Sequence, residues 1–309
     1  MRVLLTGASG AIGADLAPRL AAAGLTVRAL SRDPARVTAG GIAEVATGDA
    51  VSGEGVDAAL EGCEVAFFLI HSMETVAAGG PGFADRDRAA ARSFAAAARR
   101  TGVRRVVYLG GPVPAGGAIS PHLASRLEVE RTLLEDAAPE AVALRASIVI
   151  SARSRSFRFL VRLVERVPVV ALPAWREGRT RPIDGRDVAG YLLAAATSPA
   201  VRGPLSLDIA GPDTVSYGEM IECIRDALLL GRPRLDLPLT LTPVAARVAA
   251  AIAGEDPALI EPLMGSLTGD LLPRDERAQE LFRVRLHRFA AAVEHALGEW
   301  ERVEPLRGR

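Results

Sequence analysis

The chain has no lysine and no asparagine, and all 37 of its Lys/Arg positions are arginine. This points to a very GC-rich genome in which A-rich codons are suppressed. An arginine standing where another protein carries lysine then reflects codon supply as readily as design. Cysteine is almost as scarce. Cys63 and Cys223 are isolated, which excludes a disulfide framework and a cysteine metal motif and fits reduced thiols in a cytoplasmic protein. Net charge is zero, so neither a nucleic-acid nor an anionic-membrane partner is expected. No apolar stretch is long and charge-free enough to span a bilayer, and the N-terminus runs into a strand pattern without the apolar core of a signal peptide. The four histidines are scattered, no G-x-S-x-G or Cys/His nucleophile pattern occurs, and no metal site is expected.

What is present is an alternation. The segments 2–7, 26–30, 44–47, 64–70, 105–111 and 141–150 read as strands, with helical stretches at 11–23, 54–61, 84–101 and 121–136 between several of them. This predicts α/β architecture: a Rossmann-like doubly wound parallel sheet. "EVAFFLI" (64–70) is apolar on both faces, as a central strand covered by helices on both sides must be. After residue 150 helices dominate, at 154–167, 187–197, 217–230, 242–252 and 289–303, around one short strand at 205–211. The expected organisation is a core over 1–150 and a smaller, mainly helical substrate lobe over 151–309, some segments of which return to the core sheet. In the helix 154–167, Arg155, Arg158, Arg162 and Arg166 share one face, read as solvated or as lining an anionic pocket. Trp175 lies in a Pro-rich loop and reads as a pocket wall or a plug at the lobe junction.

The strongest motif is "LLTGASGAIGADLAPRL". Gly7, Gly10 and Gly13 follow a strand and open a helix. Glycine permits the tight turn, lets backbone approach a pyrophosphate and lets the helix pack against the strand. The helix start offers free N–H groups to phosphates. Gly7, Ser9, Gly10, Ala11, Ile12 and Gly13 are therefore the expected dinucleotide cradle. The second strand ends in Ser31-Arg32, where an NAD-preferring fold usually places an acidic residue for the ribose 2′-OH. A guanidinium suits a 2′-phosphate, so NADP(H) is expected, with NAD as the alternative. Asp33-Pro34 reads instead as a helix cap with proline behind it.

"TGASGAIG", with "VRALSRDPAR", "GDA" (48–50), "FLIHSM" (68–73) and "LRASIVIS" (144–151), resembles the atypical and extended short-chain dehydrogenase/reductases, in particular their NmrA-like NAD(P)H-binding branch. "RPIDGRDVAGYL" and "IAGPDTVSYGEMI" resemble second-lobe segments of bacterial members, and the similarity spans most of the chain. No additional C-terminal domain, as some members carry, is expected. The resemblance implies that Asp49 lies beside the adenine, and that Ile70 and His71 lie where the nicotinamide ribose passes. It also exposes a loss. Where the family has Tyr-x-x-x-Lys, this chain has His122-Leu-Ala-Ser-Arg126, and Gly110-Gly111 stand where Ser or Thr is wanted. His122 and Arg126 are four apart and share a helix face. Arg126 can donate to ribose hydroxyls. His122, in the first turn after a Ser120 cap, should be neutral because the helix N-terminus and a neighbouring arginine disfavour imidazolium. His122, Arg126 and His71 are the candidate catalytic residues. The leading expectation is an NADP(H)-binding oxidoreductase acting on a small molecule. The alternatives are a non-catalytic NAD(P)H-binding sensor, and an isomerase or dehydratase using bound cofactor transiently. Nothing in the sequence sets the oligomeric state.

Overall fold

The computed structural model describes residues 1–71, 82–114, 119–237, 250–254 and 269–308. Six strands alternate with helices in the first half. These are β1 (Arg2–Thr6), β2 (Thr26–Ser31), β3 (Ile42–Thr47), β4 (Val65–Phe68), β5 (Arg105–Gly110) and β6 (Glu140–Ala146). The helices are α1 (Ala11–Ala22), α2 (Val56–Leu60), α3 (Phe83–Arg100) and α4 (Pro121–Asp136). The second half continues with β7 (Val149–Ile150), α5 (Arg155–Arg166), β8 (Val170–Leu172), β9 (Arg179–Thr180), β10 (Ile183–Asp184) and α6 (Gly185–Thr197). It then carries β11 (Leu205–Ile209), β12 (Val215–Ser216), α7 (Tyr217–Ala227), β13 (Arg234–Asp236) and the helices Arg277–Phe282 and Phe289–Glu301.

The main sheet is parallel and runs β11-β6-β5-β4-β1-β2-β3. Chain order reverses direction between β1 and β4, which opens the crevice where doubly wound sheets bind ligands. β4 is buried at every position, as its apolar sequence demands. One face of the sheet packs on α1 and α6 through Leu16, Leu20, Val188 and Leu192, and the other on α2, α3 and α4 through Leu60, Phe94 and Leu133. A third core joins α5, α7 and the last helix around Phe157, Tyr217 and Trp300. The fold is thus a doubly wound α/β sheet with a mostly helical lobe. Among the described residues no helix is long and apolar enough to cross a membrane.

Two sequence expectations need correction. The run 141–150 is not one strand. The chain leaves the sheet after Ala146 and re-forms as β7, which pairs with β10. The strand near 205 lies in the main sheet, where all of β11 pairs with β6 from Leu205–Val142 to Ile209–Ala146. The arginine face of α5 is not uniformly solvated. Arg158 and Arg162 lie 4.3 and 4.8 Å over the Trp300 ring, and both pair with Glu304. A cation over an indole face keeps its charge while covering apolar surface. Trp175 meets Tyr217 edge-on at 6.4 Å and packs against the lobe core. Of the expected helix 242–252, residues 242–249 lie outside the described residues and 250–253 are helical.

Candidate functional site

The loop between β1 and α1 is shaped by its glycines. Gly7 has φ of +68°, and a Cβ there would sit 2.8 Å from the Leu69 carbonyl oxygen. At Gly13 a Cβ would sit 2.2 Å from the Gly7 oxygen, so helix and loop touch only because both residues lack side chains. Gly10 differs. Its Cβ would meet the Gly7 oxygen alone, at 3.2 Å, and the space beyond is open. Gly10 is the N-cap of α1, with its own N–H on the Gly7 oxygen at 2.9 Å. Behind the loop, buried Thr6 ties the ends of β1 and β4 together. Its hydroxyl donates to the Phe67 carbonyl (2.9 Å) and accepts from the Leu69 N–H (3.0 Å). Thr6 was not singled out from sequence, because a threonine in an apolar strand carries no signal of such a tie.

The loop opens onto a cavity of about 660 Å³ at the C-terminal ends of β1 to β4. Of the residues singled out from sequence, Gly7, Ser9, Gly10, Ser31, Arg32, Asp49, Ile70 and His71 line it. Ala11, Ile12 and Gly13 form the first turn of α1, and Arg126 is not part of the lining. Two further arginines are, Arg36 and Arg86. Neither was read from sequence, since in an all-arginine chain no single guanidinium stands out. Asp33 caps the short turn Pro34–Arg36 as expected, accepting from the Ala35 N–H at 3.1 Å. Asp49 accepts from the Val51 N–H at 2.8 Å and so holds its own loop.

The other end of the cavity belongs to His71. Its Nδ1 lies 3.1 Å from the carboxylate of Asp87 on α3, and its Nε2 is buried with no hydrogen-bond partner among the described residues. The His122 ring is 4.9 Å from that of His71, and Phe83 is 6.5 Å from His122. Ser120 caps α4 by accepting from the Leu123 N–H, which places His122 in the first turn. One turn on, Arg126 donates to the Leu109 carbonyl and lies 5.6 Å from the centre of the Tyr108 ring, whose hydroxyl donates to the Arg126 carbonyl at 3.2 Å. The shared face thus splits: His122 turns to His71, and Arg126 to the end of β5.

Burial dominates the electrostatics here. It pushes the His122 imidazole down to about 3, assisted by His71 and Arg126. The sequence argument reached the neutral state through the helix terminus and arginine, but desolvation is the larger cause. His71 is also lowered, by burial and then Arg126, with Asp87 pulling the other way. Tyr108, buried within β5, is pushed up to about 12 by desolvation and is no acid near neutrality.

Where the resemblance expects Ser or Thr, the space around Gly110 and Gly111 is occupied. A Cβ at Gly111 would stand 2.9 Å from Leu123 Cδ2 and 3.5 Å from Arg126 Cδ, and one at Gly110 would stand 3.0 Å from the Tyr108 ring. Asp87 is the residue that sequence reasoning missed. "FADRDRAAAR" reads as a charged surface, yet Asp87 is only 4% exposed. The signal was available: Asp87 is followed at helical spacing by Ala90, Ala91 and Phe94, all buried, so it lies on the apolar stripe.

A second group of side chains lies elsewhere. Asp184, Asp187 and His287 bring ligand atoms within 4.8 Å of one another. Asp184 caps α6 and pairs with Arg186, while Asp187 accepts from the His287 N–H (2.8 Å) and faces its Nδ1 (2.6 Å). These bonds clamp the start of α6 to the segment before the last helix.

With this geometry, known proteins can be compared. A family model described as NAD(P)H-binding matches residues 7–147. A reductase of Streptomyces griseus subsp. griseus, (4-alkanoyl-5-oxo-2,5-dihydrofuran-3-yl)methyl phosphate reductase, is 29% identical over 242 residues, covering 75% of this chain and 74% of the relative. The Citrobacter sp. triphenylmethane reductase, solved with NADP(H), superimposes with a TM-score of 0.72 at 18% identity, over 96% of this chain and 100% of that one. The UDP-glucuronic acid 4-epimerase of Bacillus cereus, solved with NAD, does so at 0.71 and 12% identity, over 97% and 96%. The protein has a Rossmann fold, the fold also of these reductases and epimerases.

Proposed function

We propose that the protein is an NADP(H)-dependent oxidoreductase of the atypical short-chain, NmrA-like type, acting on a small molecule. The observation that carries this reading is the cavity, which joins an open glycine cradle at Gly10 to His71, whose Nε2 is buried with no hydrogen-bond partner among the described residues. Ser9, Gly10 and the α1 N-terminus would hold the pyrophosphate, Asp49 would lie by the adenine, and Ile70 and His71 would face the nicotinamide ribose. The bound nicotinamide would supply hydride transfer. Residues 151–309 would close over the substrate. Preference for the 2′-phosphate rests on Arg32, with Arg36 beside it in the same lining. Asp33 already spends one carboxylate oxygen on the Ala35 N–H, which leaves it poorly placed to accept from a ribose 2′-OH. The reductase name of the S. griseus relative favours the same direction of chemistry.

Calorimetric titration tests the cofactor. NADPH should bind more tightly than NADH, and Arg32→Ala should weaken NADPH by ten- to a hundred-fold, the loss of a charge-assisted contact of roughly 1.5–3 kcal/mol. Equal affinity for both cofactors in the parent protein would overturn the NADP assignment. The occupied space at Gly111 favours a second reading, a cofactor-binding sensor without turnover. NADPH that stays bound and unoxidised across a broad carbonyl panel would select it.

A further inference from the structure

The His71 end of the cavity contains a pair whose hydrogen-bond arithmetic is closed on one side and open on the other. Asp87 is 4% exposed, and a buried carboxylate is tolerated only with donors to compensate it. An ionised carboxylate accepts and never donates. With His71 Nδ1 at 3.1 Å, the proton between them must reside on the ring nitrogen. A neutral imidazole that donates at Nδ1 carries its lone pair at Nε2. That atom is buried with no partner among the described residues. An unmatched buried acceptor costs free energy, and one retained beside a cavity calls for a ligand donor to complete it.

The neighbouring groups do not compete for this role. His122 faces His71 at 4.9 Å, and among the described residues no carboxylate hydrogen bond to its ring occurs. Arg126 carries its own donor to the Leu109 carbonyl. Arg86 lines the cavity but can only donate, so it adds no second acceptor.

We propose that Asp87 is a positioning residue that fixes His71 as the Nδ1–H tautomer, leaving Nε2 to accept from an O–H or N–H group of the ligand at this end of the cavity. The identity of that ligand as the nicotinamide half of NADPH or the substrate beside it rests on the function proposed above; the tautomer does not.

The test is long-range proton–nitrogen correlation on protein with ¹⁵N-labelled histidine rings, at neutral pH, with His71→Gln to assign the signal. The parent should show His71 protonated at Nδ1 alone. Asp87→Leu, which removes the acceptor, should abolish that preference, and Asp87→Asn, which keeps an oxygen acceptor, should retain it. Nε2–H or imidazolium in the parent would overturn the proposal without any variant, as would an unchanged tautomer in Asp87→Leu. NADPH is then the probe for the open side. Its binding, followed by nicotinamide fluorescence, should shift the His71 Nε2 resonance. Bound NADPH with an unmoved resonance would refute the ligand-facing half of the proposal. Failure of NADPH to bind at all would refute the proposed function while the tautomer measurement still judged Asp87.

Discussion

The two ends of the cavity are built from different materials. At the cradle end the work falls to backbone: Gly7 and Gly13 are held by contacts that no side chain survives, and Gly10 leaves space open. At the histidine end it falls to side chains. The Arg126 guanidinium turns to the Leu109 carbonyl, and Leu123 and Arg126 crowd the space at Gly111. A site specified by backbone geometry survives sequence change, because few residues satisfy it. A site specified by side-chain chemistry can be rebuilt around new groups while the fold stays put.

Substitutions can break this contrast directly. The largest effect is expected from Gly13→Val. Its side chain would drive into the Gly7 carbonyl, so loop and helix must part, destabilising the protein by ~1–3 kcal/mol or more. Chemical denaturation should show the loss. Gly10→Val should instead leave far-UV circular dichroism intact while NADPH affinity falls about a hundred-fold or more, equivalent to ~2.8 kcal/mol. If both variants lost stability equally, the distinction between a packing glycine and a ligand glycine would fall.

A smaller effect sharpens the other end. His122 sits at about 3 in the folded protein, below its ordinary value of 6.5. Between those values the unfolded chain binds the proton and the folded one does not, so this histidine lowers stability as pH falls below its unfolded value. Denaturation midpoints compared at about pH 7 and about pH 5 should fall more for the parent than for His122→Phe. An identical fall in both would mean that His122 is not kept neutral by burial. The smallest effect concerns cofactor affinity. Arg126, held on the Leu109 carbonyl and outside the cavity lining, and His122 should each change NADPH affinity less than about tenfold, under ~1.4 kcal/mol, when replaced by Ala.

The same contrast explains what could be read from sequence. The glycine spacing, the Ser120 and Asp33 caps and the alternation of strands and helices are local demands, and each appears where the residues put it. Non-local partners were hidden. "AVALRASIVI" is apolar nearly throughout, so nothing in its pattern marks where β6 ends and β7 begins. The α5 arginines look solvated until Trp300, far along the chain, comes to lie beneath two of them. Asp87 was hidden by the arginines on either side of it, although its helical spacing to Phe94 put it on the buried face.

The late return of β11 to the sheet has a consequence for synthesis. β6 ends at residue 146, and the strand that covers its outer edge begins at residue 205. Arg105, buried at the start of β5, donates to the carbonyls of Ala195, Ala196 and Ser198 at the end of α6, so it too waits for this later segment. At ~5–20 residues per second the ribosome needs roughly 3–12 s to make the intervening chain. During that interval the nascent sheet presents an uncovered, apolar parallel edge and a buried-to-be arginine that has its Glu140 carboxylate but not its carbonyl acceptors at the end of α6. A stall or truncation between these two strands would therefore release an aggregation-prone fragment rather than a finished cofactor domain.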